Sequence, residues 1–153
     1  MNSDNGNNEK LLINYKKLTS KAMKNVIYEV LKEVSEKGLP GKHHFYITFD
    51  TTYKNIEIPN KLIKEYPQEM TIVIEKSFWD LEVTKKNIVI VLSFNEIKNK
   101  LKISFDSITS FTDPHANFIL QFPKFKSGKI LLDKTKNKNS SKIINILDFK
   151  KDN

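Results

Sequence analysis

The apolar period of the chain changes once, in the segment GLPG at residues 38–41. Before this segment, from Tyr15 to Lys37, apolar residues recur every three or four positions, and after it, in HFYITFD at residues 44–50, they alternate with polar ones. The first period predicts an α-helix and the second a half-buried β-strand. Gly38 suits the left-handed position that ends a helix, and Pro40 prevents the helix from continuing.

The predicted helix has two apolar rows instead of one. The first row comprises Tyr15, Leu18, Ala22, Val26, Val30 and Val34, and the second comprises Met23, Ile27 and Leu31. A single row is enough to attach a helix to a core. We therefore expect one row to pack on the body of the protein and the other to contact something else.

Beyond the first strand, short apolar segments follow one another with tight turns and almost no helix between them. We predict further strands at residues 55–58, 70–76, 78–84, 87–94, 101–105 and 117–122, and one or two helical turns at 60–66. This pattern predicts a mainly β protein with one long N-terminal helix, an α+β fold whose antiparallel strands curl into a small barrel or sandwich. The segment NIVIVLSF at 87–94 is apolar on both faces, so it is either buried on both sides or offers one face to a ligand.

The composition changes again near residue 126. Residues 133–142, DKTKNKNSSK, contain no apolar side chain, and the apolar segment IINILDF follows at 143–149. Such a polar stretch cannot bury enough apolar surface to fold. We expect a disordered N-terminus (1–10), a folded domain (11–125, with its helix in 11–38 and its β-barrel in 42–125), a flexible lysine-rich linker (126–142) and a terminal motif (143–153).

The net charge of +8 does not by itself indicate a nucleic-acid partner. Residues 126–153 hold eight lysines and three aspartates, so the folded part is close to neutral. All 26 basic residues are lysine, so the planar guanidinium that grips phosphate in a bidentate manner is missing. A codon bias toward Lys, Asn and Ile explains much of the excess. The chain has no cysteine and no apolar run of about 20 residues, which suits a soluble cytoplasmic protein.

Catalytic and metal-binding constellations are not evident. His43 and His44 are adjacent, so in a strand they point to opposite faces, and His115 is distant in the sequence. Asp80, Glu82 and Glu96 are most simply solvated residues on or beside strands. We therefore expect no enzyme activity, no cofactor and no metal.

Two binding functions remain open from the residues alone. A small barrel can bind single-stranded RNA if aromatic side chains stack on bases, and six aromatic residues are candidates: Phe45, Tyr46, Phe49, Phe78, Trp79 and Phe94. Phe45 and Phe49 share a strand face with Ile47, however, which is more typical of a core. A small barrel can equally bind an extended peptide along its strands.

Several segments resemble the alphaproteobacterial branch of the SspB family, adaptors of the ClpXP protease. They are GLPGKHHFYITFDT (38–51), YPQEMTIVIEKSFWDLEVT (66–84), VLSF (91–94), ISFDSITSFTDP (103–114) and FILQF (118–122). The terminal IINILDF-KK also resembles the family's tail motif V-V-S-L-D-A-F, shortened by one residue before Phe149. The resemblance implies a homodimer, an Sm-like β-barrel whose groove binds the ssrA degron, and a tail that docks on the unfoldase ClpX.

The resemblance also implies roles for particular residues. The expected peptide groove comprises Leu92, Phe94, Phe49 and Val73. The expected ClpX-docking residues are Ile143, Ile144, Leu147 and Phe149. The expected dimer interface on the helix comprises Tyr15, Leu18, Ala22, Val26 and Val30.

This sequence departs from the family pattern at two places. VLSF is followed by Asn95-Glu96, where the family usually has Gly-Gly, so the turn at the edge of the expected groove needs inspection. The linker is rich in lysine where the family pattern is more acidic, so a charge-based account of the tail does not transfer.

Overall fold

The computed structural model describes residues 13–123, together with the backbone of residues 125–126 and 129–130. The predicted disordered N-terminus, the docking motif at 143–149 and most of the predicted linker lie outside the described residues, and the start of that linker contributes backbone to β8 and β9. The described helices are α1 (Tyr15–Lys37) and α2 (Asn60–Glu65). The strands are β1 (Phe45–Asp50), β2 (Glu69–Ile74), β3 (Phe78–Val83), β4 (Asn87–Phe94), β5 (Ile97–Ser104), β6 (Ile108–Asp113), β7 (Phe118–Gln121), β8 (Phe125–Lys126) and β9 (Lys129–Ile130).

Helix α1 begins and ends where the sequence predicts. The Asn14 side chain accepts a hydrogen bond from the backbone N–H of Lys17 at 3.0 Å, which caps the first turn. At the other end Gly38 has a φ of 84°, and its N–H donates to the Val34 carbonyl at 2.8 Å. The helix buries Ile27, Leu31 and Val34 in the core.

A four-stranded antiparallel sheet, in the order β2-β1-β6-β7, forms one side of the core. Strand β1 alternates as predicted, with Phe45, Ile47 and Phe49 buried. Its neighbour β6 was not predicted as a strand. Thr109 is an extra residue there, because Ile108 pairs with Phe49 whereas Ser110 pairs with Thr48. This bulge breaks the alternation in the sequence of β6 and so hides the strand.

A three-stranded antiparallel sheet, in the order β3-β4-β5, forms the other side. Strand β4 spans the predicted residues and buries Ile88, Ile90 and Leu92. Strand β5 begins at Ile97, four residues before the predicted start. The predicted strand at 55–58 is wrong, because this segment makes one isolated bridge between Glu57 and Lys102 and does not extend into a ladder. The predicted helical turns before Pro67 are confirmed as α2.

The predicted fold class is confirmed as mainly β with one long N-terminal helix. Strands β1 to β7 lie in two separate antiparallel sheets and not in one closed barrel, and among the described strands β8 pairs only with β9. Strand β6 returns to pair with β1, so the strand order is not a simple meander. One apolar cluster joins α1, α2 and both sheets. Its fully buried side chains include Phe49, Phe111, Ile72, Ile90 and Leu101.

The turn between β4 and β5 keeps its geometry without glycine. Asn95 and Glu96 have φ values of 52° and 66°, and they connect the directly paired residues Phe94 and Ile97. Two central residues with positive φ are what a type I′ hairpin turn requires. Asparagine tolerates this conformation, whereas a glutamate there costs about 1 to 2 kcal/mol.

We predict that Glu96→Gly raises the free energy of unfolding by about 0.5–1 kcal/mol, because glycine adopts a positive φ without steric strain. Asn95→Gly is the matched control and should change stability less, since asparagine already suits the turn. Urea denaturation of the three proteins measures both effects. A lower stability of Glu96→Gly would show that the Glu96 side chain makes a stabilising contact that outweighs its backbone strain.

Candidate functional site

The four predicted groove residues differ in how much surface they present. Phe49 on β1 is fully buried and Leu92 on β4 is 3% exposed, so both belong to the core. Phe94 is half-buried and packs against that core, while Val73 on β2 is 38% exposed on the opposite face of its strand from the core. Phe94 and Val73 therefore offer side-chain surface to a ligand, and Leu92 and Phe49 support the strands from behind.

Phe94 lies at the open end of the second sheet, where sequence reasoning missed a neighbour. Ile97 is paired with Phe94 across the turn and is 55% exposed. The signal was present, because Ile97, Asn99 and Leu101 continue the alternation of β5 backwards. Together Phe94 and Ile97 form an apolar tip on the β4–β5 hairpin.

The outer face of the four-stranded sheet carries no charged residue across its centre. One row of directly paired residues comprises Val73, Tyr46, Thr112 and Ile119, and the next comprises Thr71, Thr48, Ser110 and Gln121. The hydroxyl groups of Thr48 and Thr71 are hydrogen-bonded at 2.7 Å. Strand β2 is an edge of this sheet in the described part of the chain, so its backbone can pair with an added extended segment.

The second helical row predicted from the sequence, that of Ile27 and Leu31, packs on the body of the protein. The other row faces outward over its N-terminal part, since Tyr15 is 69%, Leu18 56% and Val26 40% exposed, and it reaches the core at Val34. Ala22 is exposed as well, whereas Val30 is half-buried against the core. Four of the five residues predicted for a dimer interface therefore form a continuous exposed row on α1.

A groove of about 980 Å³ lies beside the N-terminal half of α1. Its basic lining comprises Lys16, Lys17, Lys21, Lys24 and Lys85, and its carboxylate lining is Asp106. The Lys24 Nζ donates a hydrogen bond to the Asp106 backbone carbonyl at 3.2 Å. Burial lowers the pKa of Lys24 from its ordinary value, and the nearby Asp106 carboxylate opposes part of that shift.

Sequence reasoning did not find this groove. Lys85 belongs to the β3–β4 turn and joins the helical lysines through the tertiary fold, so their sequence positions do not indicate a cluster. Tyr53 also lines the groove, and its pKa is raised by burial and by the Asp106 and Asp50 carboxylates. The groove therefore combines several ammonium groups with a lining of partly buried aromatic side chains.

Most aromatic side chains considered for base stacking have no open face. Phe45 and Phe49 are buried, and Phe78 and Phe94 are half-buried against the core. Tyr46 and Trp79 are the exceptions, at 39% and 36% exposed, and the Lys98 Nζ lies 4.0 Å from the centroid of the Trp79 ring. The described residues therefore do not present the row of stacking platforms that an RNA-binding barrel needs.

The three histidines form contacts that the sequence did not predict. His43 Nδ1 is 2.6 Å from Asp113 Oδ2, and the ring of His115 lies 5.0 Å from that of His43 despite its distance in the sequence. Asp113 is buried and also accepts from the backbone N–H of Ala116 at 3.3 Å. His44 turns away and its Nδ1 lies 3.1 Å from the Lys42 carbonyl. Within residues 13–123, no three His, Asp or Glu side chains are grouped closely enough to hold a metal ion. The cluster ties the start of β1 to the end of β6.

Comparison with protein-family models identifies the family of this chain. Residues 17–150 match the family model of stringent starvation protein B, SspB. The protein belongs to the SspB family. The match starts in α1, covers both sheets and continues to residue 150, so it includes the terminal IINILDF segment. No curated protein matches the chain.

SspB proteins are substrate adaptors in proteolysis and not a known enzyme family, so membership assigns this chain an adaptor role in protein degradation. The solvent exposure of Asp80, Glu82 and Glu96 agrees with their interpretation as solvated residues. In the part of the chain that the structure describes, no helix is long and apolar enough to cross a bilayer. The surfaces to be explained are therefore those that bind other polypeptides.

We predict that Leu31→Ala lowers the free energy of unfolding by about 2–5 kcal/mol, because it opens a cavity in the core behind α1. Leu18→Ala makes the same chemical change on the exposed row of the same helix, and in dilute protein it should change stability by less than about 0.5 kcal/mol. Urea denaturation at two protein concentrations checks this. An equal loss for both variants in dilute protein would contradict the assignment of the two rows.

Proposed function

We propose that this protein is a cytoplasmic adaptor of ClpXP that binds ssrA-tagged, degron-bearing polypeptides and tethers them to the ClpX unfoldase. The observation that carries the proposal is the SspB family match over residues 17–150, which spans the folded body and the terminal apolar segment together. A match to the folded body alone would support peptide binding. A match that includes both the folded body and the terminal apolar segment supports delivery.

The degron binds, on this proposal, to the groove that includes Leu92, Phe94, Phe49 and Val73. Two features support it. Val73 lies on an uncharged sheet face beside an edge strand, where an extended peptide can pair its backbone and rest its side chains. Phe94 and Ile97 add apolar surface at the hairpin tip, and the type I′ turn holds them in register.

The tail provides the second contact. The residues proposed to dock on ClpX are Ile143, Ile144, Leu147 and Phe149, and the linker at 126–142 separates them from the body. A tether of this kind gives the captured substrate a local concentration near ClpX of up to about millimolar. Binding to ClpX is thereby strengthened by about a hundredfold or more without new contacts at the unfoldase.

A homodimer would double this effect, since two tails can bind one ClpX hexamer. The proposed interface is the row of Tyr15, Leu18, Ala22, Val26 and Val30. Its support is the exposure of four members of this row on a helix whose other row is buried. Monomeric soluble proteins seldom leave such a continuous apolar surface in water.

Phe94→Ala should weaken binding of a fluorescein-labelled ssrA peptide about tenfold or more, because it removes apolar surface at the hairpin tip while leaving the backbone pairing of β4 in place. Ile63→Ala is the matched control, since Ile63 is a 37% exposed apolar residue on α2 and is not part of the proposed groove. Fluorescence anisotropy measures both affinities. Equal peptide affinities of the two variants would show that Phe94 is not part of the groove.

Deleting residues 143–153 should leave ssrA-peptide affinity unchanged and abolish the acceleration of ClpXP degradation of an ssrA-tagged protein. The reason is that the deletion removes the docking residues and leaves the folded body intact. Anisotropy and a degradation assay with purified ClpXP give the two readouts, and full-length protein is the reference. Loss of peptide binding as well would contradict a separation of the two contacts.

A further inference from the structure

The charges of helix α1 are arranged against its dipole. Residues 15–28 contain four lysines and no acidic residue, whereas the three glutamates of the helix, Glu29, Glu33 and Glu36, all follow. The N-terminal end of a helix carries a partial positive charge, which disfavours cations there. Lys17 and Lys21 are also four residues apart, where like charges repel. Codon bias can account for many lysines, but it does not explain why all the acidic residues of the helix lie in its second half.

The same lysines line the basic groove. Lys16, Lys17, Lys21, Lys24 and Lys85 line it, and among the described residues Asp106 supplies its one carboxylate. Among the described residues, ion pairs are formed by Lys32, Lys102 and His43, and none of the five groove lysines takes part in one. A concave surface with five ammonium groups and one carboxylate attracts an anionic partner.

Two of these ammonium groups are already held in place. The Lys24 Nζ lies 5.0 Å from the centroid of the Phe122 ring and donates to the Asp106 carbonyl. The Lys85 Nζ lies 4.2 Å from the centroid of the Tyr28 ring. Their side chains therefore lose little further freedom when an anion binds, which favours binding. An anion would also stabilise the charge on the partly buried Lys24, whose carbonyl partner is neutral.

The lining distinguishes an acidic peptide from a nucleic acid. Lys85 covers the ring of Tyr28, and Phe105 is buried, so neither offers a free face to a base. Tyr53 is half-buried. Single-stranded nucleic acids depend on such stacking in addition to charge, whereas carboxylates require the ammonium groups alone. The aliphatic stems of the groove lysines can cover the peptide's backbone.

We propose that this groove binds an acidic polypeptide segment of a partner protein. The lining runs along α1 from Asn14 to Tyr28, a length of about 21 Å at 1.5 Å per residue. An extended peptide of about six residues covers that distance. The site is separate from Phe94 and Val73, so a partner engaged there is free to use the strand groove as well, and two weak contacts then combine into a stronger one.

The test uses the full-length protein and fluorescein-labelled hexaglutamate as the probe. Anisotropy should show binding that weakens as salt is raised, because screening shortens the range of the lysine charges. The triple variant Lys17→Gln, Lys21→Gln, Lys24→Gln should bind the probe at least tenfold more weakly. The control is Lys61→Gln, Lys64→Gln, Lys100→Gln, which removes the same charge from exposed positions outside the groove and should bind as the wild type does.

A second measurement separates loss of binding from loss of folding. Neutralising Lys17 and Lys21 relieves their mutual repulsion, which offsets the loss of the Lys24 hydrogen bond to the Asp106 carbonyl, so the melting temperature of the groove variant should stay close to that of the wild type. Lower stability together with weaker binding would attribute the effect to misfolding and would overturn the proposal.

Three further outcomes would overturn the proposal in favour of another occupant or none. Equal hexaglutamate affinities of the two triple variants would show that net charge is responsible and not the groove. Tighter binding of hexauridylate than of hexaglutamate at the same salt concentration would assign the groove to RNA. A groove variant that becomes monomeric in sedimentation equilibrium, when the control variant stays dimeric, would assign it to a second copy of the chain. Binding of an ssrA peptide is measured in parallel, and its retention in the groove variant keeps this proposal distinct from the proposed adaptor function.

Discussion

Helix α1 can bury only one of its faces, and this constraint decides which surfaces the protein presents. Ile27, Leu31 and Val34 are buried and anchor the helix to the core shared by both sheets. Burying a side chain of this kind contributes about 1.5–3 kcal/mol, so the orientation of the helix about its axis is strongly fixed. Once it is fixed, Leu18 and Val26 face outward and the lysines lie along the flank.

The flank and the outward row are neighbouring surfaces with different chemistry. Leu18 and Ala22 belong to the apolar row and also border the basic groove. A partner that covers the apolar row therefore comes close to the lysines. Apolar contact supplies most of the affinity at such a boundary, and charge complementarity selects the partner and speeds its approach. The N-terminal half of α1 thus offers both an apolar surface that can bind a partner and charges that can select it.

How much of this could be predicted from the sequence depended on how regular each element is. Strand β1 follows a period of two without interruption, and β4 is a continuous apolar run bounded by turns, so both were predicted within a residue or two. Strand β6 was missed because the bulge at Thr109 separates Ile108 from Phe111 by an irregular interval. The start of β5 at Ile97 was missed because three polar residues, 98–100, separate Ile97 from Leu101 in the sequence. Contacts between residues that are distant in the sequence cannot be predicted from the spacing of apolar residues. Lys85 joins the lysines of α1, and His115 joins His43, across the fold.

Lysine is in excess over acidic residues both in the C-terminal part of the chain and in the groove beside α1. Residues 126–153 carry eight lysines and three aspartates, and the groove carries five lysines and one aspartate, so both are basic. Like charges repel over distances of about 8–10 Å at physiological salt. The groove therefore does not attract the protein's own tail, and the charge of the tail disfavours an internal complex that would occupy the groove and cover the proposed docking segment IINILDF. An acidic linker, as in the family pattern, would be drawn to this groove. The lysine-rich linker and the lysine-lined groove are therefore compatible. An acidic linker in this protein would compete with an acidic partner for the groove.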